Sequence, residues 1–117
     1  EPEIPEVSLQ AINFDFDKYD IRPGDAQKLE ANAQELKDAG GMGYEPDVMI
    51  EGHCDPIGTS EYNMALGQRR ADAAQAFLVK LGVPASQLST ISYGEERLVT
   101  QNEAEYEQNR RAEFKPE

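Results

Sequence analysis

The sequence predicts one α/β (α+β) domain in which helices cover a mixed sheet, and two observations lead to this fold class. Segments with the two-residue alternation of strands take turns along the chain with segments of helical periodicity. Glycine and proline residues separate these segments. The 117 residues are enough for a single domain that buries its own apolar core without disulfides or metal ions.

The first element is a strand, expected between Ile12 and Phe16 because apolar and polar residues alternate there. Residues 1–7 are rich in proline and glutamate and are expected to form an extended linker. The folded domain is therefore expected to comprise residues 8–117.

The remaining elements follow in order. A helix is expected to begin at Pro23 and to end at Gly40-Gly41, where a loop over residues 40–46 follows. A second helix is expected from Ser60 to Leu81, closed by Gly82. Three further strands are expected at Val48–His53, Leu88–Tyr93 and Arg111–Phe114, with one helical turn near Ala104–Gln108 in the polar segment 94–108.

The composition excludes several classes of partner. Lysine and arginine total 11 against 23 aspartates and glutamates, which gives a net charge of -12. Binding to nucleic acid or to an anionic lipid surface needs a basic face, so neither is expected. Cys54 is the single cysteine, so no internal disulfide can form, and no apolar run has the length of a membrane span.

The stretch from Ile50 to Ala71 contains two charged residues that suggest a binding site. Asp55 is expected in the turn after the second strand, and Arg70 about three turns into the following helix. A fixed carboxylate and a fixed guanidinium suit a ligand with both an ammonium and a carboxylate, such as an amino-acid end. The alternatives are an Asx-turn for Asp55 and a solvated or ion-paired surface group for Arg70.

The segment Glu51-Gly-His-Cys-Asp could suggest a metal site or a Cys–His nucleophile, and the residue pattern argues against both. His53 and Cys54 are adjacent, so in a strand their side chains point to opposite faces. The chain has no second histidine, and zinc sites use repeated cysteines and histidines at set spacings. No metal, cofactor or catalytic residue is expected, and Cys54 is expected to be a small buried filler.

Together with this stretch, several short segments resemble one family. The chain resembles OmpA-like peptidoglycan-binding domains and, within that family, the peptidoglycan-associated lipoproteins (Pal) of the Tol-Pal system. The likeness runs from about residue 8 to about residue 115. The segments that carry it are Ile50–Ala71, Asn13–Arg22, Gly82-Val83-Pro84, Ser92-Tyr93-Gly94-Glu95-Glu96 and Asn109-Arg110-Arg111-Ala112.

The resemblance implies a βαβαβ-type fold with an added last strand and a non-catalytic site for diaminopimelate, the amino acid of many peptidoglycan stem peptides. In such a site Asp55 accepts the ligand's ammonium and Arg70 binds a carboxylate. The backbone amides of Phe16 and Asp17 form the opposite lip, and Leu66 packs against the methylene groups. Tyr62 and Asn63 are expected either to help shape the site or simply to belong to the start of the helix.

The resemblance also implies a setting and partners. It implies a protein at the periplasmic face of the outer membrane of a Gram-negative bacterium, held by a lipid anchor upstream of residue 1. The partner it implies is diaminopimelate-containing peptidoglycan. The alternative function is a protein-interaction module that docks a TolB-like β-propeller of the Tol system through the same surface. The alternative is that the domain belongs to a porin-like OmpA protein or to a motor stator component, since both carry such domains.

The chain contains two pairs of adjacent arginines, and all of them except Arg70 are expected to have structural roles. Arg69 and Arg70 diverge by about 100° on a helix, so they cannot share one role. Arg69 is therefore expected to be structural, with an acidic partner. Arg110 and Arg111, which follow Asn109, are expected to pair with carboxylates and hold the last strand.

Overall fold

The computed structural model describes residues 6–117, and its sheet is mixed and four-stranded, as predicted. The strand order is β1-β4-β2-β3, with β2 and β3 parallel and the other two pairings antiparallel. The elements are β1 (Ile12–Asn13), α1 (Pro23–Gly41), β2 (Val48–His53), α2 (Ser60–Lys80), β3 (Leu88–Gly94) and β4 (Arg111–Pro116), with short 3₁₀ helices at Ala85–Gln87 and Glu103–Gln108.

The apolar core lies between the two helices and one face of the sheet. Alternate strand residues such as Ile50 and Phe114 meet Leu29 of α1 and Leu78 of α2 there. Val7, from the expected linker, packs partly buried against this core, whereas residues 1–5 lie outside the described residues. Within residues 6–117, neither helix combines the length and apolarity needed to cross a membrane.

The first strand is shorter than predicted, and the extension of β1 to Phe16 was wrong. The pairing with β4 ends at Asn13 and Arg111, where β4 begins. The chain then turns: the amide of Lys18 donates to the carbonyl of Asp15 at 3.2 Å, and Asp17 has a positive φ of 58°. The alternation of apolar residues continues through this turn, so the sequence pattern alone does not reveal where the strand ends.

Helix α2 lies unusually close to strand β2 because two glycines face each other. A Cβ on Gly52 would sit 1.7 Å from the backbone oxygen of Gly67, a distance that no side chain tolerates. A Cβ on Gly67 would sit 2.3 Å from the hydroxyl of Ser92 on β3. This close approach fixes the helix that bears Arg70 against the strand that leads to Asp55.

The polar segment before β4 is fixed by one buried side chain. Asn109 is fully buried, and its amide oxygen accepts the backbone N–H groups of Val99 and Thr100 at 2.8 and 3.2 Å. Its Nδ2 donates to the carbonyl of Thr100 at 2.9 Å. Asn109 therefore holds the loop that leads into the last strand.

Candidate functional site

A cavity of about 190 Å³ opens where β2 ends and α2 begins. All seven side chains that the sequence singled out for binding line it, together with Ile57 and Gly58. The seven are Phe16, Asp17, Asp55, Tyr62, Asn63, Leu66 and Arg70. Residues far apart in the sequence thus meet at one edge of the sheet, although their predicted role in binding stays a prediction.

Asp55 lies in the turn after β2 and is 4% exposed. Its Oδ1 accepts the backbone N–H of Ile57 at 3.1 Å, which is the Asx-turn considered from the sequence. Its Oδ2 accepts a hydrogen bond from Arg110 at 3.3 Å. A carboxylate has about four lone-pair sites, so both oxygens can accept a further donor from a ligand.

Arg70 is fully buried and ties the two sides of the cavity together. Its Nη1 donates to the carbonyl of His53 at 2.9 Å, at the end of β2. Nε and Nη2 donate to the carbonyls of Lys18 and Asp15 at 2.8 and 3.2 Å, on the opposite wall. Of the five N–H groups of a guanidinium, two remain for a ligand. Burial lowers the pKa of Arg70, while the neighbouring groups of Cys54 and Asp55 act in the opposite direction.

Phe16 and Asp17 form the opposite wall, and the side chain of Phe16 is 52% exposed rather than in the core. Among the hydrogen bonds of the described residues, neither of these two backbone N–H groups has an acceptor. The carboxylate of Asp17 accepts the hydroxyl of Tyr62, which raises the pKa of Tyr62. Two amides in a tight turn are therefore available for an anion or a carbonyl.

Asn63 contacts the turn that carries Asp55 from the helix side. It is 1% exposed, and its Nδ2 lies 3.3 Å from the carbonyl of Asp55 and 3.1 Å from that of Ile57. The same nitrogen lies 2.9 Å from Oε1 of Glu95. Leu66, one turn of α2 further on, is 7% exposed and supplies apolar surface to the cavity.

Arg110 is the residue that sequence reasoning left out of the site. Its pairing with a carboxylate was predicted, but the partner is Asp55 itself, and its Nε also donates to the carbonyl of Phe14 at 2.9 Å. The antiparallel register places Arg111 opposite His53, so the preceding residue comes next to the turn after β2. That register could have revealed the contact, but it is a property of the sheet and not of either segment alone.

The other face of the sheet carries a second polar group that the sequence did not predict. Glu51, His53 and Glu113 offer ligand atoms within 4.8 Å of one another, and Glu113 also pairs with Arg111 and Lys115 at 2.5 and 2.8 Å. Two cations therefore already neutralise this group. Burial lowers the pKa of His53, and the positive charge of Arg111 lowers it further.

Cys54 points to the opposite side of the strand from His53, as expected for adjacent residues. The thiol is 1% exposed and lies 3.2 Å from the carbonyl oxygen of Asn63, while the His53 ring stacks on Tyr93. Burial raises the pKa of Cys54 to about 11. The thiol is therefore protonated at neutral pH and fits the predicted role of a buried filler.

Comparisons with known proteins agree with this architecture. The OmpA family matches residues 13–112 of the chain. The peptidoglycan-associated lipoprotein of Pseudomonas aeruginosa is 44% identical over 94% of the chain, and that of Haemophilus influenzae is 47% identical over 86%. The chain spans about two thirds of the length of these relatives, 66% and 65% respectively.

Solved structures show the same fold. The peptidoglycan-associated lipoprotein from Burkholderia pseudomallei superimposes with a TM-score of 0.81 at 38% identity, covering 92% of this chain and 89% of that one. The C-terminal domain of Helicobacter pylori MotB reaches a TM-score of 0.83 at 18% identity, covering 94% and 85%, which is a likeness of fold alone. The predicted resemblance is thus confirmed, and the chain belongs to the OmpA family.

Proposed function

We propose that this domain binds stem peptides of diaminopimelate-type peptidoglycan without catalysis and tethers the outer membrane to the cell wall. The observation that carries the proposal is the cavity in which Asp55 and Arg70 meet, in a chain whose relatives are named peptidoglycan-associated lipoproteins. The parent protein would be a lipoprotein facing the periplasm of a Gram-negative bacterium, anchored upstream of residue 1. Relatives at 44–47% identity favour this parent over a porin-like or stator protein.

The geometry supports a zwitterionic amino-acid end as the ligand. Its ammonium would meet Asp55, and its carboxylate the two free N–H groups of Arg70. The amides of Phe16 and Asp17 would donate to a carbonyl or carboxylate oxygen from the other wall, and Leu66 would cover the methylene groups. Uncrosslinked diaminopimelate carries this pair of charges at its side-chain end, whereas lysine lacks the second carboxylate.

The proposal is tested with Asp55→Asn in a sedimentation assay with purified wall sacculi. Asparagine has nearly the same shape and can keep the bond from the Ile57 amide, but it loses the charge. We expect affinity for diaminopimelate sacculi to fall about tenfold or more, the equivalent of about 1.4 kcal/mol. Unchanged affinity would falsify the assignment of Asp55.

Two controls separate loss of the site from loss of the fold. Thermal unfolding of Asp55→Asn should show the loss of the partly buried contact with Arg110, which contributes about 1–2 kcal/mol, and no further change. The unmodified domain should also prefer diaminopimelate sacculi over sacculi with lysine at that position, since lysine leaves Arg70 unpaired. Equal binding to both wall types would argue against the role of Arg70.

The rim of the cavity supports a second candidate function, docking of a TolB-like periplasmic β-propeller on the same surface. Phe16, Ile57 and Tyr62 are 50–52% exposed there, and large exposed apolar side chains at a concave site are typical of protein interfaces. If both ligands use this surface, a purified TolB-like protein should compete with sacculi for the domain. Simultaneous binding of the two would exclude a shared surface.

A further inference from the structure

Strand β3 forms an outer edge of the sheet. It is the last strand in the order and pairs with β2 only, so no strand of residues 6–117 occupies its outer side. Its seven residues, Leu88–Gly94, include no charged side chain and no proline. Edge strands are usually protected from further pairing by lysine, proline, bulges, shortness or a covering helix. The pairing of β3 has one bulge, at Tyr93, so the regular edge runs from Leu88 to Ser92. An edge of this kind can accept an added strand.

Helix α2 overhangs this edge and holds it in place. The side chain of Gln68 donates to the Thr90 hydroxyl at 2.9 Å, and Gln75 donates to the Leu88 carbonyl at 3.3 Å. One flank of the helix thus runs alongside the outer edge of the strand. An added strand would lie beneath that flank.

Two adjoining cavities of about 610 and 260 Å³ lie along this flank and share Glu61 and Met64. We name them together the edge groove. Its apolar part is formed by Met64, which is 39% exposed, with Ala65 and the half-buried Ile91. Its other end carries Glu95 and the exposed Glu61 and Glu96, and no lysine or arginine lines either cavity.

The charge of the groove selects the kind of partner. In residues 6–117, Glu61 and Glu96 take part in no ion pair, so their charge is available to an incoming cation. A second copy of this chain is disfavoured as the added strand, because each copy carries a net charge of -12. Charge complementarity favours a cationic segment.

We propose that the edge groove binds an extended, cationic segment of a protein partner, which adds to the sheet as a strand beside β3. Its backbone would hydrogen-bond to the free groups of the edge, and its alternate apolar side chains would contact Ile91, which pairs with Glu51 on the face of the sheet opposite α2. Its arginines or lysines would lie near Glu61 and Glu96. This surface is separate from the Asp55 cavity, so the inference does not depend on the proposed binding of peptidoglycan.

The test uses the 117-residue chain and a capped octapeptide of alternating valine and arginine. Backbone NMR shifts should change at residues 89–93 when the peptide is added, and the affinity should fall as salt is added. In a strand, alternate residues point their N–H groups to opposite edges. Of two N-methylated peptides, one methylated at every valine and the other at every arginine, one should lose about tenfold in affinity while the other binds like the parent peptide.

Charge variants complete the test. The double variant Glu61→Gln/Glu96→Gln should weaken peptide binding about threefold or more, whereas Glu30→Gln, an exposed site on α1, should leave it unchanged. Equal affinity of both N-methylated peptides would show electrostatic adsorption only and overturn the proposal. Shifts confined to the Asp55 cavity, no binding at all, or self-association of the chain through residues 89–93 would overturn it as well.

Discussion

The chain contains two pairs of adjacent arginines, one on α2 and one at the start of β4, and the two regions use them differently. On α2, Arg70 is fully buried and donates to three backbone carbonyls, whereas the exposed Arg69 lies 5.7 Å from the ring centre of Tyr19. At β4, Arg110 reaches Asp55 at the cavity, and Arg111 reaches Glu113 on the other face of the sheet. Within residues 6–117, Arg69 forms no ion pair, so the acidic partner predicted for it is not found there, and the ring of Tyr19 lies beside it instead.

The difference follows from the geometry of the two backbones. A helix turns adjacent residues by about 100°, so one arginine can enter the interior while its neighbour stays in solvent. A strand turns them by about 180°, so the neighbours lie on opposite faces of the sheet. On the helix, the Arg-Arg dipeptide therefore gives one buried arginine that binds backbone carbonyls and one arginine on the surface. At the start of β4, the same dipeptide gives two ion pairs, one on each face of the sheet.

The largest expected effect comes from Arg70→Ala. It leaves the buried carbonyl of His53 and the partly buried carbonyls of Asp15 and Lys18 without their donor, and it empties the space of a fully buried side chain. A buried unpaired group alone costs about 1–3 kcal/mol. We expect the free energy of unfolding, measured with urea, to fall by about 3 kcal/mol or more. Arg70 would thus be both a wall of the site and a support of the fold.

Arg70→Lys separates these two roles. Lysine keeps a charge and can replace part of the carbonyl contacts, so the loss of stability should be smaller than in Arg70→Ala. It lacks the planar fork, so sacculus binding should fall about as far as in the alanine variant. A lysine variant that restores wall binding but not stability would contradict this division of roles.

Arg110→Ala should have the next largest effect. It removes the donors to Asp55 and to the Phe14 carbonyl, for which we expect about 1–2 kcal/mol of stability, again from urea unfolding. Asp55 would also lose a contact that fixes its orientation, so wall affinity should fall a few-fold. If a well-folded Arg110→Ala domain binds the wall as tightly as the unmodified domain, Asp55 does not need this contact for its orientation.

Glu113→Gln should change how stability depends on pH. Burial alone would raise the pKa of Glu113, but bonds from Lys115 and Arg111 outweigh it and lower that pKa to about 2 from an ordinary 4.5. A carboxyl whose pKa is lowered by folding stabilises the folded state at every pH above its ordinary pKa. This stabilisation is lost as the pH falls from 4.5 towards 2. Urea unfolding over that window should show a smaller decline in Glu113→Gln, and equal declines would contradict the ion pairs.

The smallest effect is expected from Arg69→Ala, which serves as the matched control for Arg70. An exposed cation–π contact contributes about 0.5–1 kcal/mol, so the thermal midpoint should move little. The affinity for sacculi should equal that of the unmodified domain, because Arg69 does not line the cavity. A binding loss as large as that of Arg70→Ala would mean that the two arginines were assigned the wrong way round.

The sequence alone determined the class of fold and the position of most elements. Both helices, Pro23–Gly41 and Ser60–Lys80, follow apolar periodicity and end near glycines, which are local signals. Strand β2 was predicted with its observed bounds, Val48–His53, because Val48 and Ile50 alternate with Met49 and Glu51 and turn residues follow the run. The resemblance to a family supplied the candidate site residues, and the structure brings these side chains together around one cavity.

Only the tertiary structure decided where β1 ends and which partners the arginines take. The end of β1 depends on where β4 stops pairing with it, and the contact between Asp55 and Arg110 depends on the register of β4 against β2. The group of Glu51, His53 and Glu113 likewise arises because register places Glu113 opposite Glu51. Pairing between distant strands sets these contacts. Local periodicity decides which residues share a face but does not fix the register, because the pattern repeats at every shift of two residues.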